Sequence, residues 1–131
     1  MFKNVASQKV AIFAWDNAAG APKTGDAANI SAQISKDGGA AAATNDVAPT
    51  ELDATNLKGI YIFDLTQAET NADLVCISPV SSTADVDIRP IIAYTVQQMT
   101  FTVAGQVDAN IQYVNDVQVT GAGSSGDPWG P

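Results

Sequence analysis

The amino-acid sequence predicts an all-β fold: a small antiparallel β-sandwich with one helical turn, followed by an extended C-terminal arm. Three observations carry that expectation. Ile30, Ala32 and Ile34 alternate with Ser31, Gln33 and Ser35, the period of two that marks a half-buried strand. Asp37-Gly38 follows at once, and a hairpin turn needs positive φ, which glycine supplies without steric cost. Thr66 is followed three residues later by Glu69, a capping box that starts one helical turn after a strand.

The elements follow in order. Residues 8–15 form the first strand, and residues 16–25 a loop rich in glycine and proline. Residues 30–36 and 40–44 pair across the Asp37-Gly38-Gly39 turn. Pro49 cannot donate to a ladder, so residues 49–53 suit a short edge segment. Residues 60–65 are apolar on both faces at their start, which suits a central strand opened by Gly59. Residues 74–78 form a strand that stops at Pro79. Residues 85–95 form the last sandwich strand, with Val86 and Ile88 inward and Asp85, Asp87 and Arg89 outward. Pro90 interrupts it, which implies a bulge or an edge position. The texture then changes. Three segments are expected: a sandwich over 1–95, a β arm over 96–120, and a Gly/Ser linker with an Asp-Pro-Trp tail over 121–131. In the arm, Val107, Ala109, Ile111 and Tyr113 alternate, and Val117 and Val119 resume the pattern beyond Asn115-Asp116.

At 131 residues the chain suits one domain plus an extension, burying roughly 65 % of its unfolded surface. Apolar residues are 46 % of the chain, much of it alanine. The core must therefore come from a limited set: Val10, Ile12, Phe13, Trp15, Ile30, Ile34, Ile60, Ile62, Phe63, Leu65, Leu74, Val75, Ile77, Val86, Ile88, Ile91, Ile92 and Tyr94. The net charge is −8, and no lysine or arginine follows Arg89. Such a chain lacks the basic stripe that tracks phosphates, which argues against nucleic acid as a partner. Cys76 is the single cysteine, so no disulfide forms within one chain, and its strand context suggests a buried small hydrophobe. The N-terminus shows no apolar h-region, and no run of about 20 apolar residues suits a membrane helix. The expectation is a protein made in a cytoplasm that reaches other places only within an assembly, with no membrane partner.

The order of these residues carries a resemblance. Thr24-Gly25, the strand from Ile30 into Lys36-Asp37-Gly38-Gly39-Ala40, then Pro49-Thr50-Glu51-Leu52, then Gly59 through Asp64-Leu65-Thr66 to Ala68-Glu69-Thr70-Asn71-Ala72-Asp73 resembles a module of tailed-bacteriophage virion proteins. The resemblance covers roughly residues 5–95, and the Gly/Ser-then-Asp127-Pro128-Trp129 tail resembles the element that follows the module in many of them. It implies an immunoglobulin-like β-sandwich of the kind found in head-decoration proteins, fibre adaptors and baseplate proteins. The expected localisation is therefore the virion.

Catalytic chemistry is poorly served. The chain has no histidine, which removes the usual proton shuttle and metal ligand and makes a Ser-His-Asp or Cys-His constellation impossible. Asp85 and Asp87 share a strand face and with a third oxygen would suit Ca²⁺, but paired outward carboxylates are more often plain surface. Asp64 and Glu69 resemble a glycosidase pair, yet a strand end and a helix cap account for them. Asp37-Gly38-Gly39 lacks the Lys-Ser/Thr ending of a phosphate loop. No enzyme, cofactor or metal site is expected.

A structural role is the leading expectation: a capsid decoration or cement protein, docked on the shell through its arm and tail. The runner-up is a tail, collar or baseplate adaptor for fibres. A carbohydrate or host-surface binding module would instead need exposed aromatics. Its candidates are Trp15, Tyr61, Tyr94 and Tyr113, the first three in strands expected to build core. The partner-binding candidates are Trp129, Pro128, Asp127, Tyr113 and Ile111, and the partners other copies, a trimer among the options, and capsid or tail proteins. An indole beyond a Gly/Ser linker is the kind of anchor that dominates an interface.

Overall fold

A computed structural model describes residues 1–98, and the backbone alone of residues 113–114 and 117–118. The chain divides into two compact units, Met1–Gln98 and Met99–Pro131. The strands of the first unit are β1 (Gln8–Asp16), β2 (Ala21–Pro22), β3 (Ile30–Lys36), β4 (Ala42–Ala43), β5 (Thr50–Asp53), β6 (Leu57–Leu65), β7 (Leu74–Ser81), β8 (Val86–Ile88) and β9 (Ile91–Tyr94). A 3-10 turn at Ala27–Asn29 precedes β3, and one helical turn, α1 (Gln67–Thr70), joins β6 to β7.

All strand pairs are antiparallel. One sheet runs β2-β1-β6-β5 with β8 also on β1, and the other runs β4-β3-β7-β9. In immunoglobulin lettering β1, β6 and β5 stand as B, E and D, facing β4, β3, β7 and β9 as C′, C, F and G. This is the immunoglobulin-like antiparallel sandwich. Residues 1–3 lie beside the end of β9, where Phe2 forms a parallel bridge with Val96.

The core forms where the inward rows meet. Val10, Ile12 and Ala14 of β1 stand beside Tyr61, Phe63 and Leu65 of β6, and Ile30, Ala32 and Ile34 of β3 beside Val75 and Ile77 of β7. Burying each large side chain of this set stabilises the fold by about 1.5–3 kcal/mol. Tyr61 is fully buried, which is tolerable because its hydroxyl donates to the Lys23 carbonyl (3.0 Å) and accepts from the Asp26 N–H (3.0 Å).

Two proline expectations need correction. β7 does not stop at Pro79 but continues through it, with Pro79 opposite Ala32. β9 pairs only with residues 74–77, so one edge of β7 has no ladder at Pro79 and the missing N–H leaves no acceptor unmatched. Residues 85–95 are likewise not one strand. β8 pairs with β1 in the first sheet and β9 with β7 in the second, so Arg89-Pro90 marks a change of sheet.

The expected core list also needs correction. Phe13, Trp15, Ile92 and Tyr94 point outward, with 46, 36, 67 and 73 % of their surfaces exposed. Strands β1 and β9 are apolar on both faces, so period two alone leaves the inward face undetermined. Register decides it: Val10 lies opposite Phe63 and Ile12 opposite Tyr61, which turns Phe13 and Trp15 outward. Cys76 is half-buried, on the outward row between buried Val75 and Ile77, rather than in the core.

The second unit is described by one pairing. β10 (Tyr113–Val114) runs antiparallel to β11 (Val117–Gln118), with Tyr113 opposite Gln118 and Val114 opposite Val117.

Candidate interaction surfaces

The acidic residues of the sandwich mostly serve its loops. Asp26 is 2 % exposed, and its carboxylate accepts from Ser81 Oγ (2.6 Å), Thr83 Oγ1 (2.6 Å) and Asn29 Nδ2 (2.9 Å). Burial pushes its pKa up. The donated hydrogen bonds of Ser81, Thr83 and Asn29, with the Lys23 charge, outweigh that and hold it below the ordinary carboxylate value. Burial likewise raises the Tyr61 phenol, with the Glu51 and Asp26 charges adding to it against the Asp26 N–H bond. This network pins the loop before β3 and the turn after β7 to the central strand β6. Sequence reading missed it, because nothing local separates Asp26 from the solvated aspartates around it.

Glu69 completes the expected capping box. Its Oε2 accepts from the Thr66 N–H (2.8 Å) and Thr66 Oγ1 accepts from the Glu69 N–H (3.3 Å). Its Oε1 also accepts from the Asn45 N–H (2.7 Å), so one buried carboxylate holds both the helical turn and the loop after β4. Beside it an open cleft of about 590 Å³ is lined by Ser7, Asn45, Asp46, Asp64, Thr66 and Gln67. Asp46 Oδ2 accepts from the Asp64 N–H (2.9 Å), and the Asp64 carboxylate is paired with Lys9. Each carboxylate here has a structural partner.

Asp87 pairs with Arg89 at 2.8 Å, and Asp85 occupies a left-handed backbone position (φ 61°). Among the described residues no group of three or more His, Cys, Asp or Glu side chains is placed to hold a metal.

The outer sheet faces differ from their expected character. On the first sheet, Phe13 and Trp15 lie side by side with ring centroids 6.2 Å apart and planes at 42°. Ile60 is opposite Phe13, while Pro22 and Asp87 flank Trp15 in register. On the second sheet, Tyr94 lies opposite Leu74 and Ile92 opposite Cys76, an apolar row along the edge strand β9. Of the four aromatic candidates, then, Trp15 and Tyr94 are exposed and Tyr61 is core. Phe13 is a further exposed aromatic that, like Trp15 and Tyr94, sequence reading assigned to the interior. The signal was its spacing of two from Trp15, which places both on one face whichever face that is.

Of the partner-binding candidates, Ile111, Asp127, Pro128 and Trp129 lie outside the described residues, and Tyr113 is described only by its backbone in β10. Among the described residues no helix is long and apolar enough to cross a membrane. No family model matches the chain, and no curated protein or solved structure matches it either.

Proposed function

We propose that this chain is a non-enzymatic structural protein of a tailed-phage particle, a decoration protein docked on the capsid shell. One observation carries the docking role. The buried carboxylates Asp26 and Glu69 are committed to holding loops in place, whereas apolar rows stand exposed on the outer faces of both sheets. A stiff module with outward apolar rows is built to be held against a neighbour, since such patches mark interaction surfaces on folded proteins. The phage assignment rests on the resemblance of residues 24–73 and of the Asp127-Pro128-Trp129 tail to virion modules, together with the immunoglobulin-like strand order.

Copy number tests the reading. Quantitative mass spectrometry of purified particles should find the chain on the order of hundreds of times per capsid, as symmetric shells require. A dozen copies or fewer would move it to the tail, collar or baseplate as a fibre adaptor. Absence from particles would end the virion reading altogether.

A further inference from the structure

We propose that the outer face of the second sheet is the contact through which two copies of this chain pack face to face. Ser31, Gln33 and Ser35 of β3 turn outward there, opposite Val80, Ser78 and Cys76 of β7. On the far side of β7, Ile92 lies opposite Cys76 and Tyr94 opposite Leu74. Val96 continues the outward row of β9, and Phe2 is bridged to it. The face therefore has two halves, hydroxyls and an amide along β3 and an apolar row along β9. Val80, Ile92, Tyr94 and Val96 are each more than half exposed, as on a surface that meets a neighbour.

Among the described residues of these registers none is charged. Asp37, at the corner of the face, has its carboxylate tied to the Asp73 and Leu74 N–H groups. The first sheet differs, because its outer face carries the pairs Lys9–Asp64 and Asp87–Arg89. Covering that face strips water from two ion pairs, a penalty their mutual attraction does not reliably offset. Covering the second sheet strips water from hydroxyls and an amide, which can bond to the same groups of another copy.

Charge selects the occupant. Two copies carry a net charge of −8 each and repel. They approach at least cost where neither presents a charge, and a basic partner finds no carboxylate in these rows. The two halves fix the arrangement. A two-fold axis across the strands lays each β9 row on its counterpart, whereas an axis along the strands would set apolar rows on hydroxyls. Size sets the strength. A strand of seven residues is about 23 Å long and four strands span about 19 Å, so each copy offers on the order of 440 Å² of sheet. That is the range of weak, reversible interfaces and not of obligate dimers. The inference rests on reading the outer rows as docking surfaces but not on the phage assignment, and it leaves the first-sheet face for the shell.

Sedimentation equilibrium of the full-length chain from about 1 to 500 µM should show monomer and dimer with a Kd of about 10–100 µM. Like-charge repulsion opposes the contact, so raising salt from about 20 to 500 mM should tighten it severalfold. Ile92→Asp and Tyr94→Asp should each weaken it at least about tenfold, since each places a charge in both halves of the contact. Val47→Asp, equally exposed but on the loop after β4, should leave it within about twofold. Cys76, the single cysteine, reports on the unaltered chain: its alkylation by iodoacetamide should slow as protein concentration rises through the Kd. A monomer at about 500 µM in high salt would overturn the proposal. So would a dimer indifferent to Ile92→Asp and Tyr94→Asp, or a trimer, since a face-to-face contact closes with two copies. Cys76 equally protected at every concentration would show that the chain covers this face itself, which overturns it as well. Absence from particles with the dimer intact would end the decoration reading alone.

Discussion

Asp37 and Leu74 hold each other through two hydrogen bonds that run in opposite senses. The Asp37 N–H donates to the Leu74 carbonyl at 2.9 Å, and the Leu74 N–H donates to Asp37 Oδ1 at 2.8 Å. The same oxygen accepts from the Asp73 N–H at 2.9 Å. A turn residue of β3–β4 thus fixes the first residue of β7. The turn itself has positive φ at both central residues, 51° at Asp37 and 74° at Gly38, closed by Gly39 N–H to the Lys36 carbonyl at 2.8 Å. Those are the features of a type I′ hairpin turn. One extra residue is then taken up before β4, since Ile34 pairs with Ala42.

Gly38→Val should therefore lower stability by about 1–2 kcal/mol, the cost of a left-handed backbone at a β-branched residue. Nothing lies within 4 Å of a Cβ at this position, so the loss is backbone strain and not a clash. A urea midpoint equal to wild type would contradict the turn geometry.

Gly59→Ala should be worse than its chemistry suggests. Gly59 combines φ of 76° with a site where a Cβ would lie 2.7 Å from the Ala14 carbonyl oxygen and 3.0 Å from Pro22 Cβ. Backbone atoms cannot move aside cheaply, so the loss should exceed that of Gly38→Ala by at least about 1 kcal/mol. Equal midpoints for the two alanine variants would show that β6 shifts to admit the methyl group.

Acid should unfold the sandwich through a few named carboxylates. Asp16 is held low by the Ala19 N–H and Lys23, Asp37 by the Leu74 and Asp73 N–H groups with Lys3 and Lys36, and Asp53 by Asn56 and Thr55. Asp26 is held low against its own burial. A folded pKa below the unfolded value of 3.8 contributes stability that is complete above that value and is lost as pH falls through the depressed one. Urea midpoints should therefore be flat from neutral pH to about pH 5 and fall below about pH 4. Asp26→Asn should lower the midpoint at pH 7 and flatten the acid limb. An acid limb as steep as wild type would mean that Asp26 is protonated in the fold.

Much of this architecture was readable in the chain because its signals are local. Thr66 and Glu69 declare their cap, Asp37-Gly38 its turn, and Ile30, Ala32 and Ile34 their face, each within a few residues. The errors over which face of a strand is buried share one cause. Phe13, Trp15, Ile92 and Tyr94 lie in strands whose two faces are both apolar, and only register with β6 or β7 decides which face is buried. Arg89-Pro90 misled for a related reason, since a change of sheet depends on which strand the chain meets next. The surroundings of Trp15 were illegible on the same grounds: Asp87 and Trp15 are far apart in sequence and become neighbours through one strand pairing.

The first unit should fold by itself, and its boundary is testable to a few residues. The Val96 N–H donates to the Met1 carbonyl (3.0 Å) and the Lys3 N–H donates to the Val96 carbonyl (2.8 Å). A fragment of residues 1–98 keeps both bonds, whereas residues 1–95 lose the partner of the N-terminal segment. Both should give dispersed amide spectra, with the shorter fragment less stable by about 1–2 kcal/mol for two hydrogen bonds and the Phe2 contact. An unfolded 1–98 would show that residues beyond 98 are needed for the sandwich.

Deleting residues 127–131 should leave the sandwich folded and reduce incorporation into particles. Trp129 stands between Pro128 and Gly130, beyond a Gly/Ser stretch and in a region without a basic residue. A tryptophan that anchors an interface commonly costs 2 kcal/mol or more when removed, roughly thirtyfold in affinity. Particles assembled with truncated and intact protein at equal expression should be compared by quantitative mass spectrometry, with the amide spectrum of the truncated chain recorded as the folding control. Equal occupancy of the two would assign docking to the sheet faces and leave Trp129 without a part in it.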